Sequence, residues 1–286
     1  MKRREQKIVI AIPVSVISDI PHIREKTLEI GLIGRAAAIF RVNEIIIYSD
    51  NPGAPNQKQD RGLIAALLAY METPQYLRKR LFKLKPELKY AGILPPLRTP
   101  HHPLERRASK LKNGEFREGV VIAVNPKGCL VDVGVENALL LPDKNLPINK
   151  RVTVTVIQVG KHQRLILANC ANIKDYWGYT VTTAKGSFVQ VTKSRKYDLV
   201  IATSKIGAPL QDVEEELTER WKKAKNILVA FGAPSCGLQE IVSKEKLSLD
   251  KIADYTINTI PNQGTETVRT EEAIYATLAL LNTIDN

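Results

Sequence analysis

Three segments in the second half of the chain carry the residue types from which a ligand pocket is built. They are Ala202-Thr-Ser-Lys-Ile-Gly-Ala-Pro209, Phe231-Gly-Ala-Pro-Ser-Cys-Gly-Leu238 and Asn258-Thr-Ile-Pro-Asn-Gln-Gly-Thr265. Each continues an apolar run that reads as a strand: 198–203, 226–231 and 253–260. Ligands of open α/β sheets bind beyond the carboxyl ends of the strands, and Gly and Pro there let the backbone approach a ligand closely. One such loop is explained as readily by Gly and Pro ending a strand. Three in succession point to one pocket.

Missing motifs narrow the chemistry. No GxGxxG follows a strand, which disfavours a dinucleotide site. Gly232 and Gly237 have the glycine spacing of a phosphate-binding loop, but Leu238-Gln239 stands where Lys-Ser/Thr must hold phosphate and magnesium. A GTPase or a dehydrogenase is therefore weakened. HExxH and GxSxG are absent, and Cys236 has no histidine near it in sequence to activate it. The three cysteines, Cys129, Cys170 and Cys236, are widely spaced with no CxxC pair, so neither a disulfide framework nor a zinc site is expected. His101-His102 lacks a third ligand at metal spacing, and no metal is expected.

The elements that must position the three loops follow from periodicity. Residues 7–12 and 42–49 read as strands and 23–41 as a helix between them, giving one βαβ unit in which Gly31, Gly34, Ala37 and Ala38 let the helix approach a sheet. Helices are expected over 58–72 and 76–84. From 117 to 168 come five short β-rich runs, 117–124, 128–133, 138–141, 152–159 and 164–168, with Asn125-Pro-Lys-Gly128 and Gly160-Lys-His-Gln163 as hairpin turns. Five strands in so short a stretch suit a small closed barrel of the OB type, which leaves no edge unpaired. The α/β alternation then resumes, with a helix at 212–225, acidic at its start and basic at its end as the helix dipole favours, and a last helix at 270–283. The fold class is α/β, a Rossmann-like sheet interrupted by a small β-barrel.

Charge suggests the partner. Forty-two Lys and Arg against 30 Asp and Glu leave a formal net charge of +12 on 286 residues. Such an excess favours a polyanion, because each neutralised phosphate releases counterions. Between Arg78 and Lys112 eleven basic residues face two acids, and Pro95, Pro96, Pro100 and Pro103 break regular structure. Arg78, Lys79, Arg80, Lys83, Arg98, Arg106, Arg107, Lys110 and Lys112 are the candidate RNA contacts, with Tyr76, Phe82, Tyr90 and His101-His102 placed to stack bases. Solvated surface accounts equally well for some of these charges. On the barrel, Arg117, Lys127, Lys144, Lys150, Arg151 and Lys161 are candidates for positioning RNA. No run approaches the ~20 apolar residues of a membrane span, and the basic start followed by 8–14 reads as a strand and not as a signal peptide. A cytoplasmic protein with no membrane partner is expected.

These residues resemble a family. Thr256-Ile-Asn-Thr-Ile-Pro-Asn-Gln-Gly-Thr-Glu-Thr-Val-Arg-Thr-Glu-Glu-Ala273 is similar to the last motif of the SPOUT methyltransferases, and Phe231-Gly232 through Gly237-Leu238 to the motif before it. Residues 30–44, with Arg35, resemble the family's N-terminal motif. Gly92-Ile-Leu-Pro-Pro-Leu-Arg-Thr-Pro-His-His-Pro103 is shared with the branch of archaeal and eukaryotic RNA methyltransferases that carries an OB-like insertion.

The resemblance implies a C-terminal trefoil knot and S-adenosylmethionine as cofactor. Its cofactor site would comprise Ala202, Thr203, Ser204, Gly232, Gly237, Ile257, Asn258, Thr259, Ile260, Pro261 and Gly264. It also implies a homodimer, with residues 1–100 and 171–286 as the two parts of the methyltransferase domain, 101–113 as a basic connector and 114–170 as the insertion. Thr267-Val-Arg269 replaces the Ser-Leu-Asn triplet of the ribose-methylating branch. The expected target is therefore a base of ribosomal RNA, with N-3 of uridine suggested by the branch. Arg35 and Arg269 are the candidates for stabilising the anion formed as the base loses its proton, and Glu266 or Glu271 for removing it. Glu271 and Glu272 equally suit the negative charge favoured at a helix start. A catalytically silent RNA-binding or ribosome-assembly factor of the same fold is the alternative.

Overall fold

The computed structural model describes every residue except Pro52, Pro55, Lys161, Asp285 and Asn286. Lys161, expected in a hairpin turn and as an RNA-facing cation, lies outside the described residues. The chain divides into two compact units. One comprises Arg4–Glu72, Pro86–Leu97 and Tyr179–Asn286, the other Met1–Arg3, Thr73–Lys85 and Arg98–Gly178.

The first unit is an α/β layer built on a six-stranded parallel sheet. Its strands are β1 (Lys7–Pro13), β2 (Glu44–Tyr48), β8 (Thr180–Thr183), β9 (Leu199–Pro209), β10 (Asn226–Ala230) and β11 (Tyr255–Asn258), in the spatial order β11-β9-β10-β1-β2-β8. Every neighbouring pair is parallel. Both faces of a parallel sheet are covered, so its central strands must be apolar throughout. Lys7-Ile-Val-Ile-Ala-Ile-Pro13 and Glu44-Ile-Ile-Ile-Tyr48 meet that requirement, and apart from Lys7 they are buried end to end.

Helices α1 (Ile23–Ile39), α2 (Gln57–Glu72) and α7 (Thr270–Ile284) share one apolar cluster with the sheet, while α4 (Phe188–Ser194) and α6 (Leu238–Ser243) contribute to the other. The glycines of α1 serve different neighbours from the one expected. A Cβ on Gly34 would lie 2.9 Å from the Tyr179 hydroxyl and 3.0 Å from Met71 Sδ, and one on Gly31 3.0 Å from Pro95. They admit α2 and the proline segment, and Ala36 and Ala37 are in the cluster that includes sheet residues. Helix α5 (Leu210–Lys223) begins two residues before its expected start because Pro209 ends β9 and caps it, and its Trp221 is fully buried.

The second unit holds α3 (Gln75–Leu81) and strands β3 (Phe116–Asn125), β4 (Gly128–Asp132), β5 (Leu139–Pro142), β6 (Arg151–Val159) and β7 (His162–Leu167), which close in the order β3-β4-β5-β7-β6. This closed five-stranded barrel fits the one expected, and its interior is apolar, with Val121, Val131, Leu141, Val154 and Leu165 almost fully buried. Two cations assigned to its surface are engaged otherwise. Arg117 is fully buried, its Nε 2.8 Å from Glu115 Oε1 and its Nη1 donating to the Glu105 and Val133 carbonyls. Arg151 Nε donates at 2.7 Å to the buried Glu118, which also accepts from Thr153 and Trp177. Tyr76 and His101 are likewise unavailable for stacking: Tyr76 donates to the Glu118 carbonyl and His101 is fully buried beside Trp177. An alternating strand has one inward face, and the sequence does not say which arginine falls on it.

No helix among the described residues is long and apolar enough to cross a membrane, and they contain no group of three or more His, Cys, Asp or Glu arranged to hold a metal.

Candidate functional site

The ends of β9, β10 and β11 enclose a cavity of about 580 Å³. Its shape follows from a break in strand register. Thr256 pairs with Ala202 but the next residue, Ile257, pairs with Ala208, so residues 203–207 are looped out of the ladder. Thr203 holds the base of this loop by donating its hydroxyl to the Ala230 carbonyl at 3.0 Å. Asn258 Nδ2 donates to the Lys205 carbonyl at 2.9 Å, and Lys205 Nζ to the Glu266 carbonyl at 3.0 Å. The first and third loops are thereby stapled together.

The middle loop is closed on itself by a backbone turn. Ala233 and Cys236 exchange N–H···O bonds of 3.0 and 3.3 Å, closing a tight turn. A Cβ on Gly232 would stand 2.9 Å from the Leu238 nitrogen and 3.1 Å from the Gly237 Cα, so the chain passes there only as glycine. Two outside hydroxyls fix the loop: Tyr48 donates to the Phe231 carbonyl at 2.7 Å and Thr270 to the Gly232 carbonyl at 3.0 Å. Burial, with Asp50 and Cys236 nearby, raises the Tyr48 phenol well above its ordinary value, so it remains a donor.

Of the residues expected to hold a ligand, Thr203, Ser204, Gly232, Gly237, Ile257, Asn258, Thr259 and Ile260 line this cavity, together with Glu266. Ala202, Pro261 and Gly264 adjoin it in sequence without lining it. The lining also contains Lys205, Ile206, Leu238, Gln263, Thr267, Thr270 and Ala273, none of which stands out by residue type. The three loops contain the first four; Thr270 and Ala273 enter because α7 starts against the cavity wall.

Arg269 and Arg35 lie outside the lining. Arg269 stands just before α7, where its N–H donates at 2.9 Å to the Glu272 carboxylate, half of a capping box, so Glu272 is a helix-start acid. The Arg269 side chain is 66% exposed, and its Nη1 lies 3.9 Å from Glu29 Oε2 of α1. Arg35 Nη1 donates to the carbonyls of Pro96 and Leu97 at 3.0 and 2.6 Å. Within one chain it therefore braces the proline segment.

All nine candidate RNA contacts fall in the barrel unit. Eight are exposed, and Arg78 is half-buried with Nε bonded to the Thr73 carbonyl at 2.8 Å.

Comparison with known proteins decides the family. The family model described as "Putative RNA methyltransferase" matches residues 7–281. The chain belongs to this RNA methyltransferase family. The methyltransferase is 33% identical over 286 residues to an uncharacterized protein of Haloarcula marismortui, covering 95% of this chain and 97% of the other. It is 33% identical over 305 residues to a 28S rRNA (uridine-N(3))-methyltransferase of Drosophila melanogaster, spanning 95% of this chain and 61% of that protein. It is 31% identical over 303 residues to the Homo sapiens protein of the same name, spanning 97% and 78%.

An enzyme of this class needs a site for a methyl donor, and Gly207 tests whether the cavity is that site. A Cβ on Gly207 would lie 2.7 Å from the Thr256 carbonyl oxygen and 2.8 Å from the Ile257 carbonyl carbon, backbone that cannot step aside. Gly207→Ala is expected to push the 203–207 loop off β11 and weaken donor binding about tenfold or more in calorimetry, the scale of overpacking a fixed backbone. Unchanged affinity would place the donor elsewhere.

Proposed function

We propose that this methyltransferase transfers the methyl group of S-adenosylmethionine to N-3 of a uridine in large-subunit ribosomal RNA, acting as a homodimer. The observation that carries the reading is the backbone-built cavity at the ends of β9, β10 and β11, in a chain related along nearly its whole length to enzymes named for that reaction. The cavity suits the donor. It is roomy, it is walled by the loops that follow three neighbouring strands, and Gly232 allows the main chain to fold where a side chain would not fit. Thr203, Ser204, Gly232, Gly237, Ile257, Asn258, Thr259 and Ile260 would hold it, flanked by Ala202, Pro261 and Gly264. When bound, the donor supplies a methyl carbon that is already electrophilic.

The protein then has to orient the uridine and manage one proton. Arg269, exposed before α7, stabilises the base anion as N-3 is deprotonated, and Glu266 at the cavity accepts the proton. Arg35 is assigned to the same anion across the dimer. The eight exposed cations of the barrel unit, with Arg78, grip RNA phosphates. The domain division that accompanies this reading is 1–100 with 171–286 for methyl transfer, the knot belonging to 171–286, with 101–113 as connector and 114–170 as an OB-like insertion.

The direct test incubates the purified protein with labelled donor and large-subunit ribosomal RNA from a strain lacking the enzyme, then analyses the digested nucleosides by mass spectrometry. 3-Methyluridine is expected; label in a ribose or another base would overturn the assignment. For the dimer, Leu28 and Ile39 of α1 and Leu280 of α7 are 48%, 47% and 39% exposed, apolar area of the kind a partner covers. Sedimentation at micromolar concentration is expected to show a dimer, and a monodisperse monomer would refute it.

A further inference from the structure

Where α1 meets the start of α7, two carboxyl groups are buried together. Glu29 and Glu271 are 7% and 4% exposed, close enough to hydrogen-bond to each other, and one Glu271 oxygen has no hydrogen-bond partner. Two adjacent buried carboxyls cannot both be ionised cheaply, so one proton is held between them. Burial, then the hydrogen bond and charge of Glu271, keep that proton on Glu29. The nearby charges are few. Arg269 lies 3.9 Å from Glu29, Asp19 approaches from the segment before α1, and Lys26, one turn back on α1, is occupied by Asp60 of α2 at 2.8 Å.

We infer that Glu29 and Glu271 are a proton-sharing pair that positions Arg269, leaving it free to face RNA while the proton is held and drawing it back onto Glu29 when the proton leaves. The inference rests on the assignment of Arg269 to the reacting base. Glu29 is a positioning residue here: it does not line the cavity and touches the reaction only through the guanidinium. Burial, followed by the hydrogen bond and charge of Glu271, raises the Glu29 carboxyl to about 8, so the release falls just above neutral pH. Unpaired, Arg269 can stabilise the uridine anion; paired with an ionised Glu29, its charge is spent within the protein.

Glu29→Gln keeps a neutral hydrogen-bonding group on Glu271 and removes the titration. The test is single-turnover methyl transfer at saturating donor and ribosomal RNA, from pH 6 to 9, for wild type and Glu29→Gln. The uridine's own ionisation affects both proteins alike and cancels in the ratio of rates. That ratio, variant over wild type, is expected to be near 1 at pH 7 and to rise to about tenfold by pH 9, with its midpoint near 8. Glu271→Gln removes the like charge, so its own rate should begin to fall at lower pH than that of wild type. A ratio flat from pH 6 to 9, or a Glu29→Gln rate depressed equally at every pH, would overturn the inference and leave only a packing role. Melting curves of both variants at pH 7 guard against misfolding. If Arg269→Ala proves as fast as wild type, the assignment of Arg269 has failed rather than the pair.

Discussion

Arg269→Ala is expected to slow single-turnover methyl transfer about 100-fold at saturating RNA and donor while donor affinity hardly changes. The scale is that of losing one preorganised electrostatic partner aimed at developing charge. Three features of Arg269 make it the stronger of the two arginine candidates. Its backbone is fixed as the cap of α7, with Glu272 taking its N–H; its side chain is 66% exposed; and the nearby Glu29 carboxyl lies 3.9 Å away, longer than a close pair. A rigid backbone with a loosely tethered cation suits a group that must meet an anion arriving from solvent. Arg35→Ala is a less clean experiment, because Arg35 already donates to Pro96 and Leu97, and Pro95 of the same segment packs on Gly31. Its loss loosens 94–97 as well as removing a charge, so melting and sedimentation must accompany the rate. A folded, dimeric Arg269→Ala enzyme with a near-normal rate would refute the assignment.

The parts legible in the sequence are those whose physics is local. Parallel central strands are apolar throughout, so β1, β2 and β10 stand out. The barrel strands are separated by turn residues. The cavity is legible because Gly and Pro cluster after three strands. What stays hidden depends on distant partners. Strand β8, Thr180-Val-Thr-Thr183, is a four-residue edge strand with one neighbour and no apolar period; its place is set by Ile45 and Ile46 of β2. Helices α4 and α6 are seven and six residues long, too short for a periodic signal. The basic segment reads in sequence as one connector, yet 73–85 and 98–112 belong to the barrel unit and 86–97 to the sheet unit, because Tyr76 bonds to Glu118 while Arg35 claims the 96–97 carbonyls. Glu29 has the look of an ordinary helix-surface acid; only the docking of α7 buries it against Glu271.

Raising the pH from 5 to 8 is expected to destabilise the fold through that buried pair, and Glu29→Gln to abolish most of the loss. The Glu29 carboxyl has an ordinary value of 4.5 and a folded value of about 8. Between those limits the folded chain keeps a proton that the unfolded chain has released, so folding is disfavoured progressively as pH rises. Below 4.5 both states are protonated and above 8 both are ionised, and the effect is flat. Two carboxylates shifted in the opposite direction do not mask it. Glu44, despite its burial, is held below its ordinary value by hydrogen bonds from Lys7, Thr182 and Arg195, and the exposed Asp198 by the N–H groups of Asn226 and Lys225, so their stabilising contribution is nearly complete by pH 5. At about 1.4 kcal/mol for each tenfold change in proton affinity, the cost at pH 8 is on the order of a few kcal/mol, or roughly 5–10 °C in melting temperature for a domain of this size. The amide introduced by Glu29→Gln keeps a hydrogen-bond donor toward Glu271 without the titration, so the variant's melting temperature should stay nearly constant across the window in which wild type falls. Parallel curves for the two proteins would mean that Glu29 is ionised in the folded state at neutral pH, and that Arg269 offsets the full charge of the pair from its exposed position.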